Sequence, residues 1–364
     1  MRRCFGAASF HNMYLNGLGT AVPARRVTQQ ECWVALQEAP QWSRLDTRSH
    51  AILRKVLLGE NGIVARYIAV KDWDEAFVLT PDALHARFAA NAPILATQAA
   101  ERALAAARLP AAEIDAHLIS TCTGYLCPGL TSYVAERLGL RGDVLALDLV
   151  GQGCGAAVPN WRTAQALLES GQARHVLSIC VEVCSAALYL DNDPGVLISA
   201  CLFGDGAAAA VLSVDPAPHT RRVECRAARS LLDPSERESL RFEQREGMLR
   251  NILKREVPAI AARHVDTLLS GMLERYPLRR SDLTGWILHA GGREVLTALQ
   301  RRLGLSDAEV GLSVSVLRDY GNMSSPFVLF VLERALAQNT PGGWWWMSSF
   351  GAGFSCHGAL LKVD

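Results

Sequence analysis

The sequence predicts an α/β fold with a covered central sheet, assembled from two related halves. Two observations carry this expectation. Short apolar runs of strand character alternate with helical patterns, the arrangement that lays helices over a sheet. A strand–turn pair also recurs. HLISTCTG (117–124) and GWILHAGG (285–292) each end an apolar strand in small residues. SACLFGDGAAAAVLS (199–213) and SSFGAGFSCHGALLK (348–362) each set a glycine-rich turn before a small-residue strand. The same order in both places predicts two α/β halves, 1–215 and 216–364, divided in the loop DPAPHT near Pro216–His219.

Taken in order, residues 14–19 and 64–69 read as short strands. Residues 92–108 (APILATQAAERALAAAR) are alanine-rich with helical spacing and high intrinsic propensity. LPAAEID is a turn, and HLISTCTG an apolar strand after it. Residues 143–150 (DVLALDLV) are expected to form a buried strand, 160–171 a helix and 174–181 (RHVLSICV) a further strand. Segment 226–260 is arginine-rich and weakly patterned, and is expected at the surface.

With 364 residues, half of them hydrophobic and one fifth charged, the chain can bury a sizeable core. A net charge of +1 excludes a nucleic-acid or polybasic membrane surface, and a small anionic substrate needs only a local basic patch. The ten cysteines are scattered singly, without CxxC spacing. They read as buried thiols of a reducing compartment, the cytoplasm, and no metal cluster is expected. Met1–Tyr14 has two arginines but no apolar core long enough for a signal peptide, and no run of about 18 apolar residues predicts a membrane span.

The strongest local motif is LDLVGQGCGAAVPNW. A strand runs into Gly151-Gln152-Gly153, then Cys154, small residues and a helix. Glycines permit a tight turn and close approach of a substrate, and the N–H groups at a helix start favour thiolate and an oxyanion. The plainer reading, one more buried cysteine among ten, stands beside it. Pro159 belongs in the first helical turn, where its missing N–H costs nothing. His289 ends the apolar strand GWILH before Ala290-Gly291-Gly292. That is a position where open α/β folds place chemistry, although a satisfied core histidine fits as well. Asn322 sits in LRDYGNMSSPFVLFVLE, either as a turn and helix cap or as an amide aimed at an oxyanion.

Together these segments resemble one family. GQGCGAA, WILHAGG, YGNMSS and the terminal FGAGFS occur in the order of the type III polyketide synthases, the chalcone-synthase-like enzymes. LFGDGAAAA (202–210) and STCTGYLCPGL (120–130) resemble further family segments, and the likeness runs from about residue 14 to 364. The resemblance implies a thiolase-like fold of two duplicated halves in a layered αβαβα core, acting as a homodimer. It implies that Cys154 takes a starter acyl group from coenzyme A and that His289 forms the ion pair that keeps Cys154 a thiolate. His289 and Asn322 would hold the malonyl thioester carbonyl during decarboxylation, with repeated extension and final cyclisation in a cavity. Acyl-CoA and malonyl-CoA would be substrates, and no further cofactor is implied.

Other positions follow from the same likeness. Cys122 and Thr123 would line the cavity, and Cys127 falls where a family methionine enters the neighbouring subunit's cavity. Leu188, with Tyr189 as an alternative, and Arg250 would replace the two entrance phenylalanines of plant members. Gly351, Gly353 and Phe354 belong to the terminal substrate loop, in which Ala352 replaces a family proline. Arg54, Lys55 and Arg66 are the candidates for gripping coenzyme A. A single-condensation ketoacyl synthase, a non-catalytic thiolase-fold partner and a cysteine hydrolase are the alternatives. Ala290-Gly291-Gly292-Arg293 after the histidine favours the polyketide family over the first.

Overall fold

The computed structural model describes residues 13–364, so the reading of the N-terminus up to residue 12 lies outside the described residues. The chain opens with β1 (Met13–Ala21), β2 (Arg26–Thr28), α1 (Gln29–Glu38), α2 (Thr47–Leu58), β3 (Ala65–Tyr67), α3 (Trp73–Ala76) and α4 (Pro81–Ala107). β4 (Ala116–Thr121), α5 (Leu130–Leu138), β5 (Leu145–Val150), α6 (Ala157–Glu169), β6 (His175–Glu182), α7 (Pro194–Leu202) and β7 (Gly206–Ser213) follow. Then come β8 (Val223–Leu232), β9 (Leu240–Arg245), β10 (Met248–Leu253), α8 (Val257–Arg275), β11 (Leu283–Leu288) and α9 (Arg293–Leu303). The chain closes with α10 (Asp307–Tyr320), α11 (Phe327–Ala337), β12 (Gly343–Gly351) and β13 (Ser355–Val363).

Nine strands hydrogen-bond in the order β11-β12-β13-β8-β1-β7-β6-β4-β5. The two ends of this array share one pairing pattern. β1 is antiparallel to β7, β7 to β6, and β6 and β5 run parallel to β4. Likewise β8 is antiparallel to β13, β13 to β12, and β12 is parallel to β11. Among the described residues, the strands of the two sets pair only through Met13↔Cys225 and Tyr14↔Glu224. The repeated segments seen in the sequence are β4 and β11, then β7 and β13, equivalent strands in the two patterns. The expected division at 215/216 falls between β7 and β8.

Helices fill the layers. α4 covers β1, β7 and β6, while α8 covers β8 and β13. α6 and α11 each touch strands of both sets and form the middle layer. Their apolar faces, with Trp161, Ala164, Val328 and Val331, join the large core that also holds Leu212, Leu269, Trp346 and Leu360. The result is the layered αβαβα arrangement.

α4 begins eleven residues before the alanine-rich run, at Pro81 with Thr80 as N-cap. It continues through Pro93, where Asn91 Nδ2 donates to Arg87 O (2.8 Å) beside the missing N–H. β5 departs from expectation more sharply. It is the edge strand of the array, and Leu145, Leu147 and Val150 are exposed rather than buried. Segment 226–260 is likewise more than surface. In β8 Cys225 and Ala227 are buried while Arg226 and Arg229 point outward, and β9 and β10 form a hairpin over the site.

Candidate active site

Cys154 lies in a short 3₁₀ turn, Gly153–Gly155, between β5 and α6. Gly153 holds φ +54°, a left-handed conformation that a side chain would strain. α6 starts at Ala157, so Pro159 stands in its first turn as expected. Asn160 anchors that helix: its amide donates to Ser120 Oγ (3.0 Å) and Ile179 O (3.2 Å), and Ser178 Oγ donates to it (2.8 Å). Burial pushes the Cys154 thiol up to about 12; a hydrogen bond with Ser324 lowers it and the Glu182 charge raises it.

His289 follows β11 directly, and its N–H donates to Ser348 O of β12 (2.9 Å). Its ring stands edge-on to Phe327 (5.3 Å between centroids) and Phe350 (4.9 Å). Neither ring nitrogen has a hydrogen-bond partner among the described residues, and burial pushes the imidazole down to about 3. Burial thus disfavours a lone thiolate and a lone imidazolium alike.

Asn322 follows α10 and bridges to Phe203; its N–H donates to Leu202 O (2.9 Å) and its carbonyl accepts from Gly204 (3.0 Å). Its side-chain Nδ2 donates to Gly291 O (2.9 Å), two residues beyond His289. That takes one of the two amide N–H bonds. Oδ1 accepts from the Ser324 N–H (2.8 Å), and Ser324 in turn reaches Cys154. The end of β12 closes the group. Phe350 packs on His289, and Gly351 lies against the backbone of Gln152, Cys154 and Gly155. Ser324 and Gly351 thus tie the turn of Cys154 to the segments that carry Asn322 and His289.

Sequence reasoning missed Glu182. It ends β6, fully buried, and accepts from Ser325 Oγ (2.6 Å), Thr123 Oγ1 (2.9 Å) and the Cys122 N–H (3.0 Å). Burial raises its carboxyl, and those donors hold it down. The signal available was one carboxylate closing the apolar run VLSICVE.

Cys154 opens onto a cavity that Cys122, Thr123, Leu188, Tyr189, Phe203 and Ala352 help to line. Phe203, also missed, brings an aromatic ring to this wall. Arg250 does not line it. Its guanidinium is held by Asp191 (2.7 Å), Glu243 (3.0 Å) and Asp193 (3.4 Å), while the next residue, Asn251, faces the cavity as strand alternation requires. Phe354 is buried and stacked on Phe350, and Gly353 precedes it; Ala352 is the loop residue that reaches the cavity. Cys127 is exposed, away from the cavity of its own chain. Arg54 and Lys55 are exposed on α2, whereas Arg66 is buried, its Nη1 donating to Ala200 O (2.6 Å) and Phe203 O (2.8 Å). Among the described residues no helix is long and apolar enough to cross a membrane.

Comparison with known proteins agrees with this architecture. The curated relatives include the 3,5-dihydroxyphenylacetyl-CoA synthases of Streptomyces toyocaensis, 30% identical over 250 residues, and of Amycolatopsis balhimycina, 33% over 251. Each match takes in 66% of this chain, and the chain spans 64–66% of the length of those relatives. The crystal structure of PKS-I from the brown alga Ectocarpus siliculosus superposes with a TM-score of 0.89 at 26% identity, covering 98% of this chain and 100% of that one. The C-terminal type III polyketide synthase domain of Steely1 from Dictyostelium shares the fold, with a TM-score of 0.85 at 22% identity over 97% of this chain and 99% of that one. The family profile described as chalcone and stilbene synthases, C-terminal domain, matches residues 225–363. With the profile for FAE1/Type III polyketide synthase-like proteins matching residues 22–269, the chain belongs to the type III polyketide synthase family.

Proposed function

We propose that the protein is an iterative polyketide synthase that condenses malonyl-CoA onto an acyl-CoA starter through an acyl-Cys154 intermediate and then cyclises the product. The observation that carries this reading is the set of contacts, through Ser324, Gly291, Phe350 and Gly351, that links the segments of His289 and Asn322 to Cys154 at its cavity. The opposed shifts of Cys154 and His289 are relieved together when the thiol proton passes to the imidazole, because the two new charges attract. The thiolate attacks the starter thioester, and coenzyme A leaves with the proton that His289 held. Malonyl-CoA then loses carbon dioxide. Its electron pair becomes an enolate whose oxygen accepts from the His289 and Asn322 N–H groups, in a site that excludes water. The enolate carbon attacks the acyl-cysteine carbonyl and releases the Cys154 thiolate.

Residues 1–215 and 216–364 form the two halves of this machine, the first supplying the nucleophile and the second the histidine and amide. The protein works as a homodimer joined along β5. The nine free cysteines among the described residues support a reducing, cytoplasmic setting. Arg54 and Lys55, exposed on α2, remain available for the phosphates of coenzyme A.

The test is incubation of the purified protein with malonyl-CoA and a panel of acyl-CoA starters, with products identified by mass. Products that grow by repeated two-carbon units, and that vanish in Cys154→Ala together with the acyl-enzyme, support the reading. A single condensation points to the ketoacyl synthase alternative. A fully acylated Cys154→Ala protein refutes the assignment of the nucleophile.

A further inference from the structure

Resting on the acyl-transfer reading above, we propose that the starter is an apolar, chain-like acyl group. Its tail lies in the arm of the cavity between α1, the Ile68–Val70 segment and α3. The cavity does not stop at Cys154. It extends to a wall made by Leu36, Ile68, Val70, Trp73, Phe77 and Leu190, from four separate segments. Five of the six carry no polar atom in the side chain, and Trp73 presents a large aromatic surface.

Most of the polar groups along this cavity are already engaged. Thr123 Oγ1 donates to Glu182 and accepts from the Val183 N–H (2.9 Å each). Ser185 Oγ donates to Asp205 (2.6 Å). Ser199 Oγ donates to Gly195 O (2.8 Å) and accepts from Asn251 Nδ2 (2.9 Å). The two buried arginines are turned into the wall in the same way. Arg66 donates through Nη1 to the carbonyls of Ala200 and Phe203, and Arg87 through its Nη atoms to those of Ser185 and Glu75, which leaves only the Nε of each without a partner among the described residues. Both guanidiniums also feel the negative charge of Asp205. A starter bearing hydroxyls or a terminal carboxylate would give up water here and find most of these donors taken, whereas a methylene chain gives up nothing. Each methylene buried gains about 0.8 kcal/mol, which is about fourfold in kcat/KM.

The experiment uses the full chain and straight-chain acyl-CoA starters from acetyl to palmitoyl, with phenylacetyl-CoA and malonyl-CoA alone as comparators. Two readouts are taken. Loading of Cys154 is followed by intact mass without malonyl-CoA, and condensation by product mass with it. Loading efficiency should rise about fourfold per methylene over several steps and then level off as the arm fills. In Val70→Trp the preferred length should move to shorter chains. A flat series, or malonyl-CoA alone loading as well as the best acyl chain, overturns the inference while condensation products keep the wider reading intact. A chain-length preference in loading without any condensed product supports the starter class and refutes the polyketide reading instead. An unmoved preference in a folded Val70→Trp protein overturns the placement of the tail in this arm, and no loading by any starter overturns both.

Discussion

Glu182 acts on Cys154 through its charge. A buried carboxylate repels a nearby thiolate, and it is among the causes that raise the Cys154 thiol. Glu182→Gln removes that charge, so the pH midpoint for alkylation of Cys154 by iodoacetamide, followed by mass, should fall. An unmoved midpoint would show that no negative charge resides at this position. The same change sets an amide N–H₂ against the donors of Ser325, Thr123 and Cys122, which should cost about 1–3 kcal/mol in denaturant unfolding. The catalytic residues and Glu182 differ in how legible they were. Cys154, His289 and Asn322 each announce themselves locally, by glycines around a turn or a polar residue at the end of an apolar run. Glu182 and Asn160 do not, because what defines them is a set of partners: Glu182 meets Cys122 from 60 residues away and Ser325 from 143.

α4 lies directly on β1, and the two sequences are matched for it. The buried face of the helix is Ala92, Ala96, Ala99, Ala100, Ala103 and Ala107, and the strand beneath carries Gly17 and Gly19. A Cβ built on Gly19 would come within 2.5 Å of Ala99 O and Ala103 N, both backbone atoms. Gly19→Ala must therefore push the helix off the strand, and should lower stability by about 1–3 kcal/mol in a urea titration. A midpoint equal to wild type would mean that this approach has slack. The alanine run thus carries packing information beyond its helical propensity. Its N-terminal extension was illegible because Pro93 reads as a first-turn residue; the true start is marked by Thr80-Pro81, a capping pair that the apolar pattern does not reveal.

For the whole molecule, the misreading of β5 is informative. DVLALDLV reads as buried because it is apolar, yet Leu147 is 38% and Val150 54% exposed at the end of the nine-strand array. An apolar edge strand with free backbone groups invites pairing, and soluble proteins usually blunt such edges. Among the described residues this one is left open, and Tyr125, 68% exposed, lies on the adjoining loop. The end of that loop lies on the strand, since Gly129 packs against Asp148 and the next turn, at the start of α5, is tied there by Thr131, which donates to Asp148 through Oγ1 (2.5 Å) and N–H (3.3 Å). Cys127 therefore sits on the same side of the molecule as the open edge. A second copy docked by a two-fold axis would pair β5 with itself, as an isologous interface requires, and would cover these side chains at once. Within one chain the expected burial is therefore wrong, because an apolar run does not tell an edge strand from a central one. Wild-type protein should sediment as a dimer at micromolar concentration, and Leu147→Arg should shift it toward monomer by placing like charges across the axis. A wild-type monomer would remove the dimer, and a Leu147→Arg dimer as tight as wild type would move the interface away from β5.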